Sequence, residues 1–182
     1  MIKSLKIAAT VVGVICTIFV LIITIQPREA HLQRIIIIEA PDSVIFPYLS
    51  NYRILSTWWP WPKMEAELKQ RYEGIDGAVG SKVIWSGENT GNGNMVLEEL
   101  HPFTRVKNLM TISGQKQTAT NEFLLEPDSL GTKVTWTYNG INDGILGKAK
   151  WLIMGSLLNS QYDLGLKNLK QIIEEKQGNS SQ

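Results

Sequence analysis

The chain predicts an α+β domain in which a strongly curved antiparallel sheet of about seven strands grips one long C-terminal helix. Three observations predict it. A β-branched run opens the domain, apolar residues then recur with a period near two from about residue 68 to 141, and the last forty residues change to helical spacing. At 182 residues the chain holds one domain with a substantial core, residues 28–177, after an N-terminal apolar segment, residues 1–27.

The N-terminal segment comes first. Ile7 to Ile25 is uncharged and, as a helix, approaches the thickness of a bilayer's hydrocarbon. It reads as a single transmembrane anchor. Lys3 and Lys6 precede it, which places the N-terminus in the cytoplasm and the domain on the extracytoplasmic side. A cleavable signal peptide is the main rival, although no small-residue cleavage site follows. The sole cysteine, Cys16, lies in this run, so the domain has no disulfide and no thiolate metal site. Of 18 basic and 17 acidic residues, Lys3 and Lys6 precede the domain, leaving it at 16 − 17 = −1. That balance gives no support to nucleic-acid binding.

In the domain, Ile35 to Ile38 marks a strand within His31 to Ala40, and Pro41-Asp42-Ser43 ends it and opens a helix. Pro47 predicts two short helical pieces or a kink. Trp58-Trp59-Pro60-Trp61-Pro62 predicts an irregular aromatic segment. Strands are then expected at 68–75, 80–88, 94–101, 104–113, 117–126 and 132–140, with short turn-forming links such as Asp76-Gly77 and Pro127 to Gly131. Links this short make a meander. Alternation assigns Val83, Trp85, Met95, Leu97, Leu109, Ala119, Phe123, Leu125, Val134, Trp136 and Tyr138 to the covered face, and Glu99 to the face of Met95 and Leu97. Ile145 to about Lys176 reads as the long helix, with Gly155 and Gly165 as points of bending or close approach, and 178–182 as a polar, disordered tail.

These residues resemble the START/Bet v1-like superfamily, in particular its polyketide-cyclase-like (SRPBCC) branch. The resemblance is carried in order by Ile37-x-x-Ala40-Pro41-x-x-Val44, then Trp58 to Trp61. Gly74-x-x-Gly77-x-x-Gly80-Ser81 follows with Trp85 and Gly87, then Gly93-x-Met95-x-Leu97-x-Glu99. Leu125-Glu126-Pro127-x-x-x-Gly131-Thr132-x-Val134-x-Trp136 and Gly165-Leu166-x-x-Leu169-Lys170 complete it. It spans about residues 33 to 175, and membrane-tethered relatives with one N-terminal helix look similar. The resemblance implies a helix-grip fold with an internal apolar cavity that binds a hydrophobic small molecule or lipid. Enzymatic family names do not transfer by fold alone.

The expected use is therefore a membrane-anchored, non-catalytic binding module, monomeric and without metal or cofactor. The candidate ligand contacts are Trp58, Trp59, Trp61, Trp85, Met95, Leu97, Glu99, Leu109, Phe123, Trp136, Tyr138 and Trp151. Trp58, Trp59 and Trp61 serve either as a lid or at a lipid interface. Two alternatives remain: a cyclase or dehydratase polarising a carbonyl with Glu99, Arg71 or Tyr138, and an envelope interaction protein with a vestigial cavity. His31 and His101 match no metal spacing. Asn121, like Arg71, is read as a rim or surface residue more readily than an inward one.

Overall fold

The computed structural model describes residues 2–114 and 117–180, with the side chains at positions 2, 4, 5, 8, 9, 179 and 180 outside that description. Helix α1 (Ile2–Ile25) leads into β1 (Glu29–Ile38), followed by α2 (Asp42–Ser50), α3 (Tyr52–Trp58) and the single turn α4 (Trp61–Met64). Strands β2 (Lys69–Glu73), β3 (Lys82–Gly87), β4 (Gly91–His101), β5 (Arg105–Ile112), β6 (Ala119–Asp128) and β7 (Gly131–Ile141) precede α5 (Gly144–Ser180). The sheet order is β1-β7-β6-β5-β4-β3-β2, with every neighbouring pair antiparallel. The meander is as expected, and β1 closes it by pairing with the last strand. This is the α+β helix-grip architecture of a curved seven-stranded sheet on a long C-terminal helix.

The transmembrane anchor is corrected. Among the described residues no helix is long and apolar enough to cross a membrane. The end of α1 is also engaged elsewhere: Ile23 is buried, and Lys148 Nζ on α5 donates to the Thr24 carbonyl at 2.9 Å. The membrane partner and the extracytoplasmic placement, which rested on that anchor, lose their support with it.

Smaller differences have local causes. Pro47 lies inside α2, and the break falls at Asn51. Asn51 Oδ1 accepts from the backbone N–H groups of Arg53 and Ile54, starting a new helix. Pro41 occupies the N-cap of α2 and makes no side-chain cap bond. Trp61-Pro62 is not irregular but opens α4, where proline suits an early helical position. Helix α5 continues to Ser180 through part of the segment read as a tail; Ser181 and Gln182 lie outside the described residues.

The core is concentrated under the C-terminal half of α5. Tyr162, Leu166, Leu169 and Ile173 pack there against Trp58, Phe123, Val134 and Trp136. Gly165 makes this seating possible, since a Cβ there would stand 2.9 Å from a Trp136 ring carbon and 3.4 Å from one of Trp58. Toward its N-terminus α5 is more exposed, with Ile153 and Leu146 largely open and Trp151 and Leu158 only partly covered. Closely packed at one end and more exposed at the other, the helix leaves space beneath it.

Candidate functional site: a cavity between the sheet and the long helix

That space is a cavity of about 810 Å³. Its helix wall is Gly147, Lys150, Trp151, Met154, Leu158 and Tyr162, one face of α5 at spacings of three and four. Trp85, Met110, Ile112, Asn121, Tyr138 and Ile141 form the sheet wall, and Trp59, Trp61 and Leu68 form the side contributed by the α3–β2 segment. Polar residues gather where the chain is more exposed: Gln70, Thr90, Ser113, Asp143 and Lys150. The rings brace one another. Trp59 meets Trp61 edge-on at 5.1 Å, and Tyr138 stacks on Trp151 at 5.8 Å.

Of the expected contacts, Trp59, Trp61, Trp85, Tyr138 and Trp151 come together in this wall. Met95, Leu97, Phe123, Trp136 and Trp58 instead fill the solid core beside it, each essentially inaccessible. Trp58 is no lid, because its Nε1 donates to the Tyr48 carbonyl at 2.9 Å from a fully buried position. Nor is Trp59 a lipid-interface residue, at 7% exposure.

Leu109 and Glu99 face away from the cavity. On β5 the inward residues are Val106, Asn108 and Met110, so Leu109 points outward. On β4 a bulge intervenes: Leu97 pairs with Asn108, while Glu99 pairs with Lys107, leaving Glu98 as the extra residue. One added residue reverses the alternation, which sends Leu100 to the core and Glu99 outward. Outside, Glu99 accepts from Lys107 Nζ at 2.8 Å and Arg105 Nη1 at 3.0 Å. The Lys107 hydrogen bond, above all, holds its carboxyl below the usual carboxylate range. Arg71 is likewise exposed, paired with Glu73 at 2.8 Å. The histidines lie elsewhere on the surface, His31 against Asn139 Oδ1 at 2.6 Å and His101 beside Glu99.

Alternation alone missed a buried polar chain. Asn121, expected at the rim, is 1% exposed and stands in the cavity wall. Its Oδ1 accepts from Trp136 Nε1 at 2.8 Å, and its Nδ2 donates to the Tyr162 hydroxyl at 3.0 Å. Asn108, fully buried, accepts from the Tyr52 hydroxyl at 2.7 Å and donates to the Asn121 carbonyl at 3.2 Å. The one available signal was Asn108 standing at period two between Val106 and Met110 on a strand, where an inward asparagine needs dedicated partners. Burial pushes the Tyr162 and Tyr138 hydroxyls above their ordinary pKa, and the nearness of Tyr138 raises Tyr162 further. Both therefore remain neutral donors. Two more buried donors in the wall, Trp59 Nε1 and Asn142 Nδ2, have no hydrogen-bond partner among the described residues.

Glu65 anchors one flank. Its carboxylate accepts from the Thr90 hydroxyl at 2.7 Å, from Thr90 N–H at 3.0 Å, and from the N–H groups of Asn89 and Glu88. These bonds, led by the Thr90 hydroxyl, hold its pKa below the usual range. A carboxylate lowered on folding stabilises the fold fully above its unfolded pKa of ~4.3, and that contribution is lost as pH falls through the lower folded value. Glu65→Gln should accordingly lower the urea midpoint at neutral pH, with the deficit shrinking as the pH falls below the unfolded pKa of ~4.3. A deficit independent of pH would show that charge has no part in the clamp.

Comparison with known proteins places this geometry. The family described as polyketide cyclase / dehydrase and lipid transport matches residues 29–174, and the chain belongs to it. Solved structures share the fold. They include a protein of unknown function from Staphylococcus aureus (13% identity, TM-score 0.64, covering 82% of this chain and 96% of that one). A Chromobacterium violaceum protein is 20% identical with a TM-score of 0.56, covering 82% of this chain and 99% of its own. The Aha1 dimer of Colwellia psychrerythraea is 19% identical with a TM-score of 0.59, covering 80% and 96%. No curated protein matches the sequence significantly.

Proposed function

We propose that this protein binds an apolar small molecule or lipid in the cavity between its sheet and α5. One observation carries the reading: a space of about 810 Å³ with five aromatic residues of the sequence-derived set in its wall. That volume falls in the usual range of small-molecule sites, which are mostly apolar with a few placed polar groups. Trp59, Trp61, Trp85, Tyr138 and Trp151 supply the apolar contact, and association is driven by removing that surface and the ligand's from water. Of the groups considered for carbonyl activation, Glu99 and Arg71 lie outside the cavity, which weakens the cyclase or dehydratase reading as first framed.

The test is a blocked cavity. Leu158→Trp places an indole in the space from the helix side, at a position only partly covered by protein. A polarity-sensitive naphthalene dye should bind the parent protein and bind the variant about tenfold more weakly or not at all, with a similar urea midpoint. Equal dye binding by the two proteins would overturn the reading.

A further inference from the structure

The inner end of the cavity holds a hydrogen-bond chain whose direction is set by its own chemistry. Trp136 Nε1–H can only donate, so the atom of Asn121 facing it at 2.8 Å is the carbonyl oxygen. The other side of the same amide is then the nitrogen, which also only donates, and it meets the Tyr162 oxygen at 3.0 Å. Tyr162 is thereby cast as acceptor, and among the described residues its own O–H proton meets no acceptor. Asn108, which accepts from the Tyr52 hydroxyl, holds the strand beside it by donating to the Asn121 main-chain carbonyl. The phenol ring cannot turn freely. It is stacked on Trp136 with centroids 3.8 Å apart and met edge-on by Trp61 at 6.1 Å.

Two nearby groups add further donors. Trp59 Nε1 is a second buried donor without a partner in this wall. Tyr138, directly opposite Asn121 in the β6–β7 register, contributes a neutral phenol to the same surface. The carboxylate in the wall, Asp143, belongs to the far end of the helix face and pairs with Arg28 at 3.5 Å. From Lys150 to Tyr162 is 162 − 150 = 12 residues of α5, about 18 Å of rise, so the exposed charged end and the phenol end are well separated.

We infer that the cavity's ligand carries a neutral acceptor oxygen, a carbonyl or hydroxyl on an otherwise apolar body, that takes the Tyr162 O–H proton. The inference rests on the binding reading above and narrows its ligand class. An apolar molecule lacking such an oxygen would bury the phenol proton unpaired. A carboxylate would lose hydration at this end without a cation to offset it. Tyr162 is a specificity group here and takes no part in bond making.

Fluorenone and fluorene, flat molecules differing at one ring carbon by a carbonyl oxygen, separate the possibilities by isothermal titration. The readout is the ratio of the two dissociation constants in the parent protein and in Tyr162→Phe, which keeps the stacked ring. The ratio should favour fluorenone in the parent and fall by about 3- to 10-fold in the variant, the worth of one hydrogen bond. Fluorene binding should be retained or tighten, because the variant lacks the proton that fluorene leaves unpaired, and its retention also reports that the variant has folded. A ratio identical in both proteins would overturn the acceptor inference while leaving the apolar site standing. If neither molecule binds the parent, the cavity reading itself fails. Should fluorene binding be lost in the variant, a thermal melt tells unfolding from a changed site: loss from a folded variant overturns the inference, and if the variant has unfolded, fluorenone binding no more tightly than fluorene in the parent overturns it.

Discussion

Trp136→Ala should destabilise the fold by about 3–5 kcal/mol, the largest effect expected of any single side chain here. Trp136 is wholly buried, stacked on Tyr162, edge-on to Trp58 at 5.5 Å, and 5.1 Å from Phe123. It is also the side chain to which α5 is fitted at Gly165. Truncation removes the transfer free energy of an indole and leaves a void that the surrounding rings, held by one another, cannot close. It additionally frees Asn121 Oδ1 from its donor. Urea unfolding measures the loss, and Trp136→Phe, which retains part of the stack, should lose distinctly less. A cost below about 1 kcal/mol would mean the interior collapses around the vacancy, contrary to the close fit described.

The second large effect is expected at Asn121. Asn121→Leu keeps the branched side-chain shape but withdraws the acceptor of Trp136 Nε1 and the donor to Tyr162 at once. A buried donor left unpaired costs about 1–3 kcal/mol, so the combined loss should be about 2–4 kcal/mol after the gain from added apolar surface. The partner of this variant is Asn108→Leu, which unpairs Tyr52. Because the two residues pair directly across β5 and β6, with Asn108 donating to the Asn121 main-chain carbonyl, the double variant should cost less than the sum of the two singles. Additive losses in urea unfolding would show that the two asparagines act independently.

Function follows from where these two residues place the boundary between solid core and cavity. Trp136 and Gly165 bring the C-terminal half of α5 onto the sheet. Beyond Tyr162 the helix offers Leu158, Met154, Trp151 and Gly147 to open space. The same stack that stabilises the domain is therefore the floor against which a ligand would rest.

Element order and type were legible in the sequence because they are local properties. The Ile35–Ile38 run, the turn residues between strands and the change of period after residue 141 each act over a few neighbours, and the strands formed close to where they predicted. The aromatic content of the cavity was legible too, through Trp59, Trp61, Trp85, Tyr138 and Trp151. What could not be read is which large side chains close the core and which leave a gap. Trp136 and Trp151 look alike in a pattern of apolar residues; only the tilt of α5 over the sheet, set by contact at Gly165, makes one a core residue and the other a wall.

Facing was decided at the level of pairing. One extra residue at Glu98 reversed the alternation of β4 and put Glu99 in water, and β5 took the register that turns Asn108 inward in place of Leu109. Period-two patterns hold only while pairing is unbroken, and a bulge is written in the partner strand as much as in its own. The N-terminal run shows the same division. Its composition dictated a helix, while Ile23 and Thr24 are engaged at α5 by the fold. By itself the sequence determined the elements and their chain order, since backbone preference and side-chain period are short-range. Tertiary structure alone decided the cavity, its wall and the direction of its polar chain, because each depends on residues far apart in sequence meeting at distances of a few ångströms.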